Sequence, residues 1–122
     1  MAKRPVKPGP RKKAGPRPRA DVVVGVKLGR IACEPSCLYV NRGDKIVWRF
    51  DPGHAYAVII KVFAGPLDWD FAVVRRGAGR LRAAVARDAK PGFYPYAVVA
   101  EVEGRLLVAD PEIIIPPPRG GH

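Results

Sequence analysis

Few side chains in this 122-residue chain could hold a metal or move electrons. Cys33 and Cys37 stand in "CEPSC", and His54 closes "DPGH". A structural zinc ion needs four donors, and here His54 is the third and last at hand. The remaining histidine is His122, the final residue, and the one methionine is Met1. The cysteine spacing is not the Cys-x-x-Cys of thiol oxidoreductases. Two readings of these residues stand side by side. One is a metal or redox protein using Cys33, Cys37 and His54. The other makes the cysteines small apolar residues at a strand entry, or one local disulfide, and His54 a solvated turn residue. Catalysis has less to work with. A single internal histidine, no Ser-His-Asp pattern and no Gly-rich phosphate loop leave no acid–base or phosphate-handling set. Asp51, Asp68, Asp70, Asp88 and Asp110 fall mainly at predicted turns, where Asp serves the backbone. The chain is read as non-enzymatic.

The other chemistry is charge. Lys3, Arg4, Lys7, Arg11, Lys12, Lys13, Arg17 and Arg19 occupy the first 20 residues, with no acid among them. The other 102 residues hold 14 basic and 11 acidic groups. Most of the net charge of +11 therefore sits on an arm, ahead of a nearly balanced body. Five prolines in that arm break helices, and its like charges repel. Residues 1–20 are thus expected to be disordered, extended and mobile. Such an arm suits a polyanion: cations displace phosphate counterions, and arginine forks onto phosphate. The plain alternative is a solubilising tail. In the body, Arg75, Arg76, Arg80 and Arg82, with Arg87, form a second basic cluster. Arg80 and Arg82 share one face, outward if Leu81 is inward. Apolar residues for membrane insertion are lacking in the arm. No apolar run follows the early charges as an export signal requires, and none is long enough to span a bilayer, so a cytoplasmic protein is expected. "RGD" (42–44) reads as turn chemistry and not as an adhesion motif.

The elements that must carry these residues read as strands. "DVVVGVKL" (21–28), "CLYV" (37–40), "KIVWRF" (45–50), "AYAVIIKVF" (55–63) and "FAVV" (71–74) are apolar or β-branched. "RLRAAVA" (80–86), "FYPYAVVAEV" (93–102), "RLLVA" (105–109) and "EIII" (112–115) continue the series. In "KIVWRF", Ile46, Trp48 and Phe50 face one side and Lys45, Val47 and Arg49 the other. "EG" between two of the runs signals a tight hairpin. Pro95 inside a strand implies an edge or a bulge. Trp48, in phase with Ile46 and Phe50, belongs to a core. Trp69, between Asp68 and Asp70, is the aromatic expected to be exposed. Short strands with turns every 8 to 12 residues or so argue a β-sandwich.

"VNRGDKIVWRF", the turn ending in His54, "AKPGFYPYAVVA" and a terminal apolar strand resemble the cupredoxins, over about residues 22 to 115. The resemblance implies an all-β Greek-key sandwich of about seven to nine strands. In that family the Pro-Gly-x-Tyr-x-Tyr arm delivers a copper-binding Cys, with a second His and often a Met beyond. Here His54 falls near the first copper His, Val98 stands where the Cys would be, and nothing matches the second His or the Met. A blue-copper site needs a thiolate and two imidazoles. The expectation is therefore a scaffold without copper or other cofactor, with Tyr94 and Tyr96 packing the core and clamping the hairpin.

The expected organisation is a basic arm (1–20), a cupredoxin-like sandwich (21–116) and a short tail (117–122). The expected function is a binding module whose arm, with Arg75, Arg76, Arg80 and Arg82, contacts nucleic acid or a ribonucleoprotein. Another reading is a protein-interaction or assembly domain with the arm as tether.

Overall fold

A computed structural model describes residues 19–118. Ten strands and no helix make up this part: β1 (Arg19–Lys27), β2 (Arg30–Glu34), β3 (Cys37–Tyr39), β4 (Lys45–Phe50), β5 (Ala55–Ile60), β6 (Phe71–Val74), β7 (Arg80–Ala84), β8 (Gly92–Val102), β9 (Arg105–Ala109) and β10 (Glu112–Ile115). They form two mixed sheets. The four-stranded sheet runs β2-β1-β4-β7, with β1 and β4 parallel. The six-stranded sheet runs β3-β10-β8-β5-β6, with β9 also paired to β8. The chain crosses repeatedly from one sheet to the other, in Greek-key fashion.

Nine of the ten strands coincide with runs legible in the sequence. The tenth, β2, does not. "RIACE" is short and mixed in polarity, and it gains its structure by folding back on β1 across Leu28–Gly29. Both turn residues have positive φ, 52° and 75°, which is the geometry of a two-residue hairpin turn. Glu103–Gly104 repeats it between β8 and β9, as "EG" promised. Strand β1 starts at Arg19, where Arg19 pairs in register with Lys45, so Arg19 and Ala20 belong to the sandwich and not to the arm. The rest of the arm lies outside the described residues.

The core follows from alternation. Val22 and Val24 of β1, Ile46, Trp48 and Phe50 of β4, Tyr56, Val58 and Ile60 of β5, and Tyr96, Val98 and Ala100 of β8 all face between the sheets. Trp48 and Tyr96 are both fully buried. The Trp48 indole N–H donates to the Tyr96 hydroxyl at 3.1 Å, and the rings meet nearly edge to face with centroids 5.8 Å apart. A sequence expectation fails at Trp69. It is half-buried, lies 5.8 Å from Trp48 and donates its indole N–H to the Arg82 carbonyl at 2.9 Å. The Asp68 carboxylate beside it serves the backbone, accepting from the Ala84 N–H at 3.0 Å. Polar neighbours therefore did not make the indole a surface group.

Pro95 sits where its missing donor does no harm. Its carbonyl accepts from the Lys61 N–H at 3.2 Å, one residue past the end of β5. Its nitrogen faces that same side, at the last pair of the ladder, so a single donor is withheld there. Tyr94 is half-buried, and its hydroxyl donates to the Lys90 carbonyl, tying the Pro91–Gly92 turn to β8. The "NRGD" turn is structural as well. Asp44 is buried, its carboxylate accepts from the Asn41 N–H at 2.8 Å, and Gly43 takes φ 84°.

Replacing Tyr96 by Phe keeps the packing and strands the Trp48 N–H in the core. A buried donor left unpaired costs about 1–3 kcal/mol. Urea denaturation of Tyr96→Phe is expected to show a loss of that size, with the slope of the transition unchanged.

Candidate functional site

The residues singled out for metal chemistry are dispersed. Among the described residues no group of three or more His, Cys, Asp or Glu is placed to hold a metal ion. Cys37 pairs in register with Glu112, and Glu112 with Pro95, near the start of β8. His54 precedes Ala55, which pairs with Glu101 near the end of β8. Six residues of strand separate these ends, roughly 20 Å. Both thiols are free. Cys33 lies on the inward side of β2, opposite Val24, and packs against the core. Burial pushes its thiol up to about 11. Cys37 is exposed, with its Sγ 3.7 Å from a Glu112 carboxylate oxygen. The donor set does not fit a blue-copper ion either. Val98 is fully buried and apolar, in register between Val58 and Ala109. His54 is half-buried in its turn, edge-on to Tyr56 with centroids 6.4 Å apart.

A polar cluster does occupy the His54 end. Asp51 accepts from the Gly53 N–H at 2.7 Å and from the Tyr56 hydroxyl at 3.0 Å. Desolvation by itself would raise the Asp51 carboxyl. Those two bonds, a backbone bond from Val26 and the nearby His54 outweigh it and hold the carboxyl below the usual range. Tyr56 is shifted the other way, by burial first and then by its bond to the Asp51 carboxylate. This cluster fastens the loop between β4 and β5.

The charged residues come together instead. Pairing in register puts directly opposed residues on one face of a sheet. Across the four-stranded sheet, Arg19 pairs with Lys45, Asp21 with Val47 and then Arg82, and Val23 with Arg49 and then Arg80. Lys27 and Arg30 join them through the β1–β2 hairpin. The outward face of this sheet thus bears seven cations against three acids, Asp21, Glu34 and Asp51. Asp21 is shared, 3.4 Å from Arg19 and 4.0 Å from Arg49. A shallow hollow of about 170 Å³ lies among Arg19, Lys45, Val47 and Arg82. Val47, expected outside, does face outward but is buried, as the long stems of flanking cations explain.

Of the residues proposed from sequence, Arg19, Arg80 and Arg82 share this face. Arg75 and Arg76 are exposed in the turn that brings the chain from β6 back to this sheet, ahead of Arg80. Arg87 lies past the far end of β7. Lys3, Arg4, Lys7, Arg11, Lys12, Lys13 and Arg17 fall outside the described residues. Sequence reasoning missed Lys27, Arg30, Lys45 and Arg49 as members. The outward phase of Lys45 and Arg49 was legible, but their adjacency to Arg19 and Arg82 depends on the parallel β1–β4 pairing.

No protein-family model matches the chain. No curated protein matches it. Solved structures do. A purple cupredoxin from Nitrosopumilus maritimus is 12% identical and superposes with a TM-score of 0.52, covering 79% of this chain and 98% of its own. A mutant fern plastocyanin is 12% identical with a TM-score of 0.54, covering 79% of this chain and 99% of its own. At such identity the likeness establishes the fold. The described residues form a cupredoxin-like Greek-key sandwich in which no metal-binding group is assembled.

Two measurements test this site chemistry. In the native protein at pH 8, a thiol reagent is expected to modify Cys37 rapidly and Cys33 only after denaturation, with Cys37→Ser removing the fast phase. For Asp51, a carboxyl held low in the folded state stabilises the protein at neutral pH. That contribution disappears as pH falls through the folded value. Acid titration of stability is therefore expected to be shallower in Asp51→Asn than in the parent.

Proposed function

We propose that this protein is a non-catalytic, copper-free cupredoxin-like module that binds nucleic acid or a ribonucleoprotein surface through its basic arm and the outer face of its four-stranded sheet. The supporting observation is continuity of charge. An acid-free arm with seven cations ahead of Arg19 leads directly into β1, and Arg19 already lies beside Lys45 in register. Arg82, Arg49 and Arg80 extend the same positive track across the sheet. Phosphates attract such a track through counterion release, without reading sequence. Among the described residues the face carries open hollows, such as the one among Arg19, Lys45 and Arg82, which suit a polymer backbone.

Binding to a mixed-sequence duplex is expected to fall steeply with salt. If six cations engage phosphates, log affinity against log salt has a slope near about −5. Deleting residues 1–18 leaves β1 intact and is expected to remove most of that slope. Arg82→Gln should reduce its magnitude by about 1, equally for different sequences. Unchanged affinity in the truncated protein refutes the proposal.

A further inference from the structure

Past the end of β4, strand β1 continues as one arm of a hairpin. Val24 is its last partner on β4, opposite Phe50. Gly25, Val26 and Lys27 then pair only with Ala32, Ile31 and Arg30 of β2. Leu28 in the turn stands four residues beyond Val24, about 13 Å at the rise of a strand. The root of this ribbon is fixed. The Asp51 N–H donates to the Val24 carbonyl at 3.1 Å, and the Asp51 carboxylate takes the Val26 N–H along with its bonds from Gly53 and Tyr56. The tip is not packed on anything. Leu28 is 101% exposed, and its φ of 52° is one that a bulky residue rarely adopts. A lone exposed leucine is ordinary. A wholly exposed one at a turn position that suits Asn, Asp or Gly is not. The matching turn between β8 and β9 carries a polar residue there, Glu103, also at φ 52°.

We infer that Leu28 is an apolar wedge for duplex DNA: the ribbon tip enters a groove, and the side chain inserts between two base pairs, unstacking and kinking them. This inference rests on the polyanion reading above and names its ligand more closely. The charges at the tip favour that ligand. Lys27 and Arg30 flank Leu28–Gly29 as a pair in register, both exposed, and no acid occurs in the chain between Asp21 and Glu34. The same two cations belong to the face that Arg49 and Arg80 continue, so a duplex held there by its phosphates lies within reach of the tip. The length of the ribbon past β4 exceeds the depth of either DNA groove, about 8 Å. Leucine is among the side chains that open base steps in proteins that bend DNA. An RNA duplex is a poorer fit, with a narrow major groove and a shallow minor one. A membrane is poorer too. Phe63, the other wholly exposed apolar residue, lies past the far end of β5 at the opposite pole of the sandwich, so Leu28 would insert alone.

The test uses the full chain and a duplex of about 20 base pairs with 2-aminopurine beside a central TA step, which unstacks readily. On binding, the parent is expected to raise the 2-aminopurine fluorescence and to bring dyes on the two duplex ends closer together. Leu28→Asn should lose both signals and bind about fivefold more weakly, since a partly buried leucine is removed. Its salt slope should equal that of the parent, because no cation has changed. Leu28→Phe should keep both signals. Asn suits the turn, so circular dichroism and the unfolding midpoint of Leu28→Asn should equal or exceed those of the parent. Leu28→Gly, which also accepts the positive φ, should behave like Leu28→Asn. Binding without either signal, or signals that both of these variants retain, overturns the wedge and leaves the cationic track standing. A chain that binds no duplex overturns both. Capture of phosphatidylserine vesicles that depends on Leu28, with no fluorescence change on DNA, overturns the wedge as well.

Discussion

The contact on which the sandwich depends joins Trp48 of β4 to Tyr96 of β8. Inside the core, it ties the two sheets by something more directional than apolar burial. Both side chains are wholly removed from water, and the Tyr96 hydroxyl accepts the bond that the buried Trp48 N–H requires. Trp69 packs on Trp48 from the loop between β5 and β6, which closes that flank. Tyr94, two residues before Tyr96, anchors the turn that feeds β8. The period-two tyrosines thus do two jobs on one strand, one inside the core and one at its entrance. Val98, next in the same phase, fills the core where a related scaffold would place a thiolate, and the strand stays purely structural there.

With the core settled by that phase, the outer faces are free to differ. Each strand alternates, so what is not needed inside is displayed outside. On β1, β4 and β7 the displayed residues are mainly Arg and Lys. On β5, β6, β8 and β9 they are mainly Val, Phe, Ala and Ile. The result is a body with one cationic surface and, on the opposite side of the core, a second that mixes exposed apolar side chains with Lys61, Glu101, Asp110 and Glu112. Electrostatics and the hydrophobic effect then act on separate surfaces with opposite responses to salt.

Legibility varied with the range of the interaction concerned. The "KIVWRF" alternation and the "EG" turn were readable because strand phase and turn geometry are local. Strand β2 was not, because "RIACE" has no clear period of its own and depends on a hairpin with β1. Trp69 misled for a related reason. Its neighbours in sequence are acidic, but its neighbours in space are Trp48 and the Arg82 carbonyl. Similarly, Lys45 and Arg49 were identified as outward residues without any sign that they stand beside Arg19 and Arg80.

By itself the sequence determined the all-strand character, the inward set around Trp48 and Tyr96, the lack of a thiolate at position 98 and the concentration of cations at one end. These follow from residue types and from a period of two, which need no knowledge of partners. Tertiary structure alone decided which strands lie side by side. That choice brought Arg19, Lys45, Arg49, Arg80 and Arg82 onto one face, gathered Phe71, Val73, Val99 and Val108 onto the other, and kept Cys37 and His54 at opposite ends of β8. The physical reason is that pairing partners are distant in the chain and are selected by joint burial of the core. No local pattern encodes the register across a parallel pair such as β1 and β4.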